Sequence, residues 1–282
     1  MPELPEVETM RRGVLPIVGA EIKTAERTPC AKRAITIRPR IDHLSRKTVG
    51  RRIDAVDRIG KRVVLVLDDG GRIVFEPRMT GLVLIGNPPN LEHLRFRLRL
   101  KMGRKSGQLL FWDRRGLGVV QWFSSAEFEK HFDGTIGPDA LQIEWSELKS
   151  RLAASRRAIK VALLDQKVVA GIGNLYASEI LHLAKIHPET GCDQLRDKQW
   201  QIIQQSTVEI LNAAIQHEGS TLSDGTYRNA LNESGSYQQC HAVYDRANES
   251  CHTCRKSKIV RIVQAQRSTF FCERCQRKSR RK

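Results

Sequence analysis

The sequence predicts an α+β protein of several domains: a helix and a mostly β first half, then a helical domain, then a C-terminal four-cysteine hairpin. Three observations carry this expectation. Apolar residues alternate with a period of two in the first half, recur with a helical period beyond about residue 140, and give way near the C-terminus to two CxxC pairs. The 282 residues suffice for two domains and a small appendage. The expected boundaries are 1–133, 134–245 and 246–282.

The chain begins Met1-Pro2-Glu3-Leu4-Pro5-Glu6, and residues 2–18 read as a helix with Val7, Met10, Val14 and Ile17 on one face. Proline in the first turn and acids facing the helix dipole suit such a start. The same residues permit a second reading. Removal of Met1 would leave a secondary amine at Pro2, an α-amino group has an ordinary pKa of about 8, and amines attack carbonyl-like carbons to form Schiff bases. Glu3 beside it is a candidate acid or base. By themselves these residues are satisfied by the helix.

Strands follow. Leu94, Phe96, Leu98 and Leu100 alternate with Arg95, Arg97, Arg99 and Lys101, the pattern of a strand with one buried and one basic face. Residues 62–67 and 72–75 flank Asp68-Asp69-Gly70-Gly71, a hairpin signal, and 108–111 with 119–123 suggest another pair of strands. Ser125 to Phe132 reads as a short helix and Gly134 to Pro138 as a hinge. Helices are then expected over 145–154, 158–164, 175–184 and 198–216, the last with Trp200, Ile203, Thr207, Ile210, Leu211 and Ala214 along one face. The two glycines of Gly171-Ile172-Gly173-Asn174 allow tight turns before a helix start, where backbone amides can hold a phosphate. Their spacing is not a dinucleotide fingerprint. Residues 217–245, rich in Gly, Ser, Asn and Gln, form a long polar loop.

Of seven cysteines, Cys251, Cys254, Cys272 and Cys275 form two CxxC pairs with the separation of a four-thiolate site for one structural zinc ion. Residues 259–271 supply the intervening hairpin. Four thiolates close such a site without His241 or His252, and Cys30, Cys192 and Cys240 are expected to be unpaired. From Cys251 onward the chain carries eleven Lys or Arg against the single acid Glu273. Arg267, at the expected hairpin tip, is placed for bidentate phosphate binding, whereas 278–282 read as a solvated tail.

The whole chain has 48 Lys and Arg against 31 Asp and Glu, a formal charge of +17, which attracts polyanions and points to nucleic acid. No run of about 18 apolar residues predicts a membrane span, and the N-terminus lacks the basic-then-apolar order of a signal peptide. The expectation is a cytoplasmic, monomeric protein without a membrane partner.

Together, Pro2-Glu3-Leu4-Pro5-Glu6-Val7-Glu8, Gly171-Ile172-Gly173-Asn174-Leu175-Tyr176-Ala177-Ser178-Glu179 and Gln266-Arg267-Ser268-Thr269-Phe270-Phe271-Cys272 resemble bacterial formamidopyrimidine-DNA glycosylases. The resemblance implies an N-terminal β-sandwich with its leading helix, a helix-two-turns-helix domain and a zinc hairpin, with double-stranded DNA held in a cleft between domains. It implies a bifunctional enzyme that excises oxidised purines, then cuts the strand at the abasic site by β,δ-elimination. By position, Pro2 is the implied Schiff-base nucleophile and Glu3 the proton donor. Lys61 and Arg267 are implied phosphate contacts and proton donors, and His93, Arg115, Lys160, Asn174 and Tyr244 further DNA contacts. Met79, Arg115 and Leu117 form the implied wedge that fills the space left by a flipped nucleotide. Three positions depart from the family pattern: Leu117 replaces a common aromatic, Glu76-Pro77 a usual His-Leu, and Ser223 a basic residue of some members. Two other readings are compatible with the same residues: the sister endonuclease VIII class, which usually has glycine where Leu4 stands, and a non-catalytic zinc-ribbon DNA-binding protein.

Overall fold

A computed structural model describes residues 2–222 and 225–278, so the expectations for Met1, Ser223 and the end of the basic tail lie outside the described residues. The chain forms two compact units, Met1–Asp133 with Ile215–Gln238, and Gly134–Ala214 with Gln239–Lys282. Residues 217–238 of the polar loop, expected in the helical domain, thus pack within the first unit.

The first unit starts with α1 (Leu4–Gly13), followed by β1 (Glu21–Arg27), β2 (Thr36–Arg38) and α2 (Ile41–Thr48). The strands β3 (Ile53–Ile59), β4 (Arg62–Leu67), β5 (Arg72–Glu76), β6 (Gly81–Leu84), β7 (Leu94–Met102), β8 (Lys105–Asp113) and β9 (Val119–Phe123) follow, and α3 (Ser125–Phe132) closes it. Two sheets form, ordered β1-β7-β8-β6 and β2-β9-β5-β4-β3. Period-two patterning sends one face of each sheet inward, and the inner faces meet: Phe75 of the five-stranded sheet lies 6.0 Å from Phe96 and 5.8 Å from Phe111 of the other. The segments 108–111 and 119–123, expected to pair with each other, belong to different sheets. β8 pairs with β7 and β6, whereas β9 pairs with β5 and, in parallel, with β2. The intervening 114–118 loop carries the chain from one sheet to the other.

Helix α1 packs against β3, β4 and β6, with Val7 and Met10 fully buried in the common core. Beyond β6, the Ile85 and Gly86 N–H groups donate to Ala230 O at 3.0 and 3.2 Å, which seats the 215–238 segment on the sandwich. Gly13 is required there, because a Cβ would lie 2.4 Å from that of Ala230. Arg95, expected on the basic face of β7, is only 2% exposed. A register shift between Leu94 and Phe96 interrupts the alternation there, and its guanidinium donates to Asp113 O at 2.8 Å and Arg114 O at 3.4 Å.

The second unit contains α4 (Trp145–Leu152), α5 (Ile159–Ala162), α6 (Asn174–Leu183) and all but the last two residues of α7 (Asp197–Gln216), followed by the hairpin β10 (Val260–Gln264) and β11 (Arg267–Phe271). Of the predicted α7 stripe, Trp200, Ile203, Thr207, Leu211 and Ala214 are buried. Val243, Ile259 and Phe270 form a small separate core around the cysteines. The hairpin turns through Ala265 and Gln266, both left-handed with φ of 46° and 60°, the geometry of a two-residue turn whose twist matches the strands. Among the described residues, no helix is long and apolar enough to cross a membrane.

Candidate active site and nucleic-acid interface

In the first unit, Pro2 and Glu3 are buried immediately before α1. The Glu3 N–H donates to Glu6 Oε2 at 2.8 Å, satisfying a backbone donor at the helix start. The other carboxylate oxygen of Glu6 accepts the Ser220 N–H at 2.9 Å. Tyr227 donates its hydroxyl to Glu218 O at 2.9 Å and lies 3.4 Å from Glu6 O. Burial, reinforced by the Glu6 charge, pushes that hydroxyl well above its ordinary pKa, so it stays a donor. Glu6, present in the sequence as an acid facing the helix dipole and as a member of the N-terminal motif, therefore ties the Pro2 end of α1 to the 215–238 segment.

Two residues further along, Glu8 accepts from Arg11, Arg12 and Arg58 at 2.8–3.1 Å. Burial works against its ionisation, yet these hydrogen bonds hold its pKa down to about 2. Arg58 also donates to Gly60 O at 3.0 Å. Lys61, half-buried in the β3–β4 turn, thereby sits on a turn bonded through Arg58 to α1.

The wedge candidates share one clamp. Met79 and Arg115 are both exposed, and the Arg115 guanidinium lies 2.9 Å from the Met79 sulfur. Beneath them Asp113, fully buried, accepts from the Thr80 hydroxyl at 2.5 Å, the Arg115 N–H at 3.2 Å and the Gly118 N–H at 2.7 Å. The loop bends at Gly116, where φ is 63° and a Cβ would lie 2.2 Å from Arg33 O. Leu117 is half-buried beside it. His93, also half-buried, stands edge-on to Trp112 at 5.5 Å. Glu76 pairs with Arg62 at 3.2 Å and with Arg78 at 2.6 Å.

Three predicted DNA contacts converge in the second unit. Lys160 is fully buried, and its ammonium bonds Asn174 Oδ1 at the start of α6. The Asn174 amide donates to Ser268 O at 2.9 Å, immediately after Arg267, whose side chain is exposed at the hairpin end. Gln166 shapes the glycine-rich turn, donating to Leu164 O and Ile172 O at 2.9 Å and accepting from the Gly171 N–H at 3.0 Å. On α6, buried Glu179 accepts the N–H groups of Ala242, Val243 and Tyr244 at 2.7–3.0 Å. Burial raises its pKa against those donors. Tyr244, so held, stacks edge-on against Phe270 at 5.2 Å.

Asp113 and Gln166 are not singled out by the sequence, and Glu6 and Glu179 enter only as members of the family motifs, without a role. Each accepts mainly from backbone N–H groups, so only a polar residue within an apolar or glycine-rich run could have flagged them.

The sulfurs of Cys251, Cys254, Cys272 and Cys275 lie within 4.8 Å of one another. A tetrahedron with metal–sulfur bonds of about 2.3 Å has edges of about 3.8 Å. The Cys251–Cys275 and Cys254–Cys272 separations of 3.9 and 3.7 Å fit it, so the four thiols form a structural metal site. His182 of α6 buttresses it, its ring 3.0 Å from Gln276 Oε1 and 2.8 Å from Thr253 Oγ1.

Residues 1–120 match the N-terminal domain of formamidopyrimidine-DNA glycosylases, 136–226 the H2TH domain of the same enzymes, and 248–277 a zinc finger found in FPG and IleRS. The formamidopyrimidine-DNA glycosylase of Solibacter usitatus is 36% identical over 99% of this chain and 100% of its own length. That of Bacillus subtilis is 37% identical over the same shares. The Lactococcus lactis Fpg in complex with abasic-site DNA superposes with a TM-score of 0.86 at 31% identity, over 98% of this chain and 100% of that one. The wild-type form of the latter, bound to N7-benzyl-Fapy-dG DNA, gives 0.85 at 33% over the same shares.

Proposed function

The chain belongs to the formamidopyrimidine-DNA glycosylase family, and on that premise we propose that it excises oxidised purines from double-stranded DNA and then cleaves the strand at the abasic site. The observation that carries the reading is Pro2-Glu3 at the start of a helix held by Glu6 and Glu8, within a chain that matches the family from end to end.

With Met1 removed, the Pro2 nitrogen attacks C1′ of the damaged nucleotide. The N-glycosidic bond breaks, and the base leaves with a proton delivered by the Glu3 carboxyl. The product is an iminium between Pro2 and C1′. Its cationic nitrogen accepts the electron pair released when the C2′ proton is removed, and the C3′–O bond to the 3′ phosphate then breaks. A second elimination expels the 5′ phosphate, with Lys61 and Arg267 contacting phosphate and supplying protons. Water finally hydrolyses the conjugated iminium, releasing the sugar fragment as an aldehyde and restoring the Pro2 amine.

Extruding the target nucleotide costs a few kcal/mol of stacking and pairing. Met79, Arg115 and Leu117 fill the space it vacates, held in register by Asp113. His93, Lys160, Asn174 and Tyr244 complete the DNA contacts, Lys160 acting through Asn174 because its own ammonium is buried. Zinc is the ion for the four thiolates, a structural role that keeps Arg267 on a rigid hairpin.

Borohydride reduction in the presence of abasic-site DNA tests the chemistry. Processed, zinc-loaded protein is expected to crosslink, with mass mapping placing the adduct on residue 2. A chain that binds the DNA but yields no adduct, or an adduct on a lysine, overturns the assignment of Pro2.

A further inference from the structure

The basic face predicted for β7 is not consumed by the residues assigned above. Arg97, Arg99 and Lys101 point outward from the four-stranded sheet and, with Lys23 of β1 and the polar Ser106 and Gln108 of β8, line a groove of about 710 Å³ that no acidic side chain enters. Two carboxylates stand at its margin. Glu26 is shared between Arg97 at 2.5 Å and Arg99 at 3.4 Å, and Glu21 pairs with Lys23 at 2.6 Å. The β7–β8 turn adds Arg104, and Lys105 opens β8 beside it. Among the described residues neither of these two has an ion-pair partner, and Lys101 faces Glu21 of β1 without a direct pair. Six cations thus face two carboxylates along one sheet face and its hairpin end.

We infer that this groove is a second DNA-binding site, taking the phosphodiester backbone of a duplex segment other than the one that carries the lesion. Charge complementarity identifies the occupant. Side chains on one face of a strand recur about every 6.8 Å, while each DNA strand presents a phosphate per 3.4 Å of axis. A backbone lying along β7 therefore offers a phosphate to each of Arg97, Arg99 and Lys101 in turn. Ile85, half-buried, is the apolar side chain at its wall with surface against which sugar carbons can rest. Such a site holds a neighbouring stretch of duplex while the first is in use, permitting transfer between segments without full release. The inference rests on the proposed DNA function only in taking DNA as the polyanion.

Full-length protein saturated with a short duplex carrying a tetrahydrofuran abasic analogue is titrated with a second, fluorescent, undamaged duplex. Wild type is expected to bind it, with log affinity falling steeply against log salt. The K23A/R99A/K101A variant leaves Arg97 to pair with Glu26. It is expected to lose at least tenfold in second-duplex affinity near 0.1 M salt and about 2 to 3 in the salt slope, about 0.9 for each phosphate no longer neutralised. Its unfolding midpoint and its single-turnover excision from a short lesion duplex stay at wild-type values. A control variant, R40A/R46A/K130A, removes the same charge from other exposed positions of the first unit and should retain the second duplex. Failure of wild type to take up a second duplex, full retention by the groove variant, or equal loss in the control overturns the proposal. Loss of excision in all three proteins would instead count against the proposed function.

Discussion

Replacing Asp113 by asparagine isolates the clamp beneath the proposed wedge loop. The carboxylate accepts three donors, Thr80 through its hydroxyl and Arg115 and Gly118 through their N–H groups, at a site with no solvent exposure. Asparagine keeps one carbonyl oxygen, which can take the Oδ1 position, but it turns an NH₂ group toward the Gly118 N–H. One buried donor is left unsatisfied and two charge-assisted bonds become neutral ones. A buried unsatisfied group costs about 1 to 3 kcal/mol, and hydrogen bonds to charged groups contribute about 1.5 to 3 kcal/mol against about 1 for neutral ones. The expected loss is therefore about 3 kcal/mol, read as a lower urea midpoint with unchanged slope. Function should separate in a characteristic way. Affinity for a lesion duplex should fall about tenfold or more as Arg115 and Met79 lose their register, while borohydride trapping on single-stranded abasic DNA, where nothing need be wedged, stays near wild type. An Asp113→Asn protein with wild-type stability and duplex affinity would refute the clamp. Equal losses on single and double strands would show that the effect is global rather than confined to the wedge.

Three further outcomes follow from other parts of the molecule. Arg267→Ala should weaken DNA binding and lower the salt slope by about one counterion's worth, since its exposed guanidinium stands clear of the hairpin's own packing; an unchanged slope would count against a phosphate contact. Removing the metal with a chelator should abolish amide protection in β10 and β11 and reduce DNA affinity; protection that persists would show that the hairpin stands on its small apolar core alone. Glu8, held at about 2 against an ordinary 4.5, binds its proton less readily folded than unfolded, so its contribution of roughly 3 kcal/mol is complete above pH 4.5 and disappears as pH falls through about 2. The stability gap between wild type and Glu8→Gln should close over that window, and a gap constant with pH would contradict the assignment.

What the sequence made legible was local, because the physics that creates those features is local. A buried strand must alternate with period two, and that placed β4, β5, β7 and the β8 and β9 segments. A helix must repeat near 3.6, and that placed α6 and α7. A four-thiolate site must present pairs of sulfurs on tight turns, and the spacing of Cys251, Cys254, Cys272 and Cys275 meets that demand. Pairing between strands obeys no such rule. Residues 108–111 and 119–123 look like partners because they are near in sequence, yet the 114–118 loop carries the chain across the sandwich, and nothing in its composition announces the switch.

The supporting carboxylates were hidden for a related reason. Glu6, Asp113 and Glu179 are each nearly inaccessible, and each offers its oxygens mainly to backbone N–H groups that any residue type provides, from Ser220 or Gly118 to Val243. No complementary side chain marks the far end of such a bond. An acidic residue in a mostly buried run is still informative, since an ionised carboxylate is removed from water only where donors replace its hydration. Applied to this chain, that criterion singles out Asp113 at the end of the apolar Leu109–Trp112 run and Glu179 among the buried residues of α6. The same reasoning explains why Arg95 left the basic face while Arg97 and Arg99 remained on it. Arg95 finds two backbone carbonyls within reach, whereas its neighbours share a single carboxylate and stay at the surface with charge unspent.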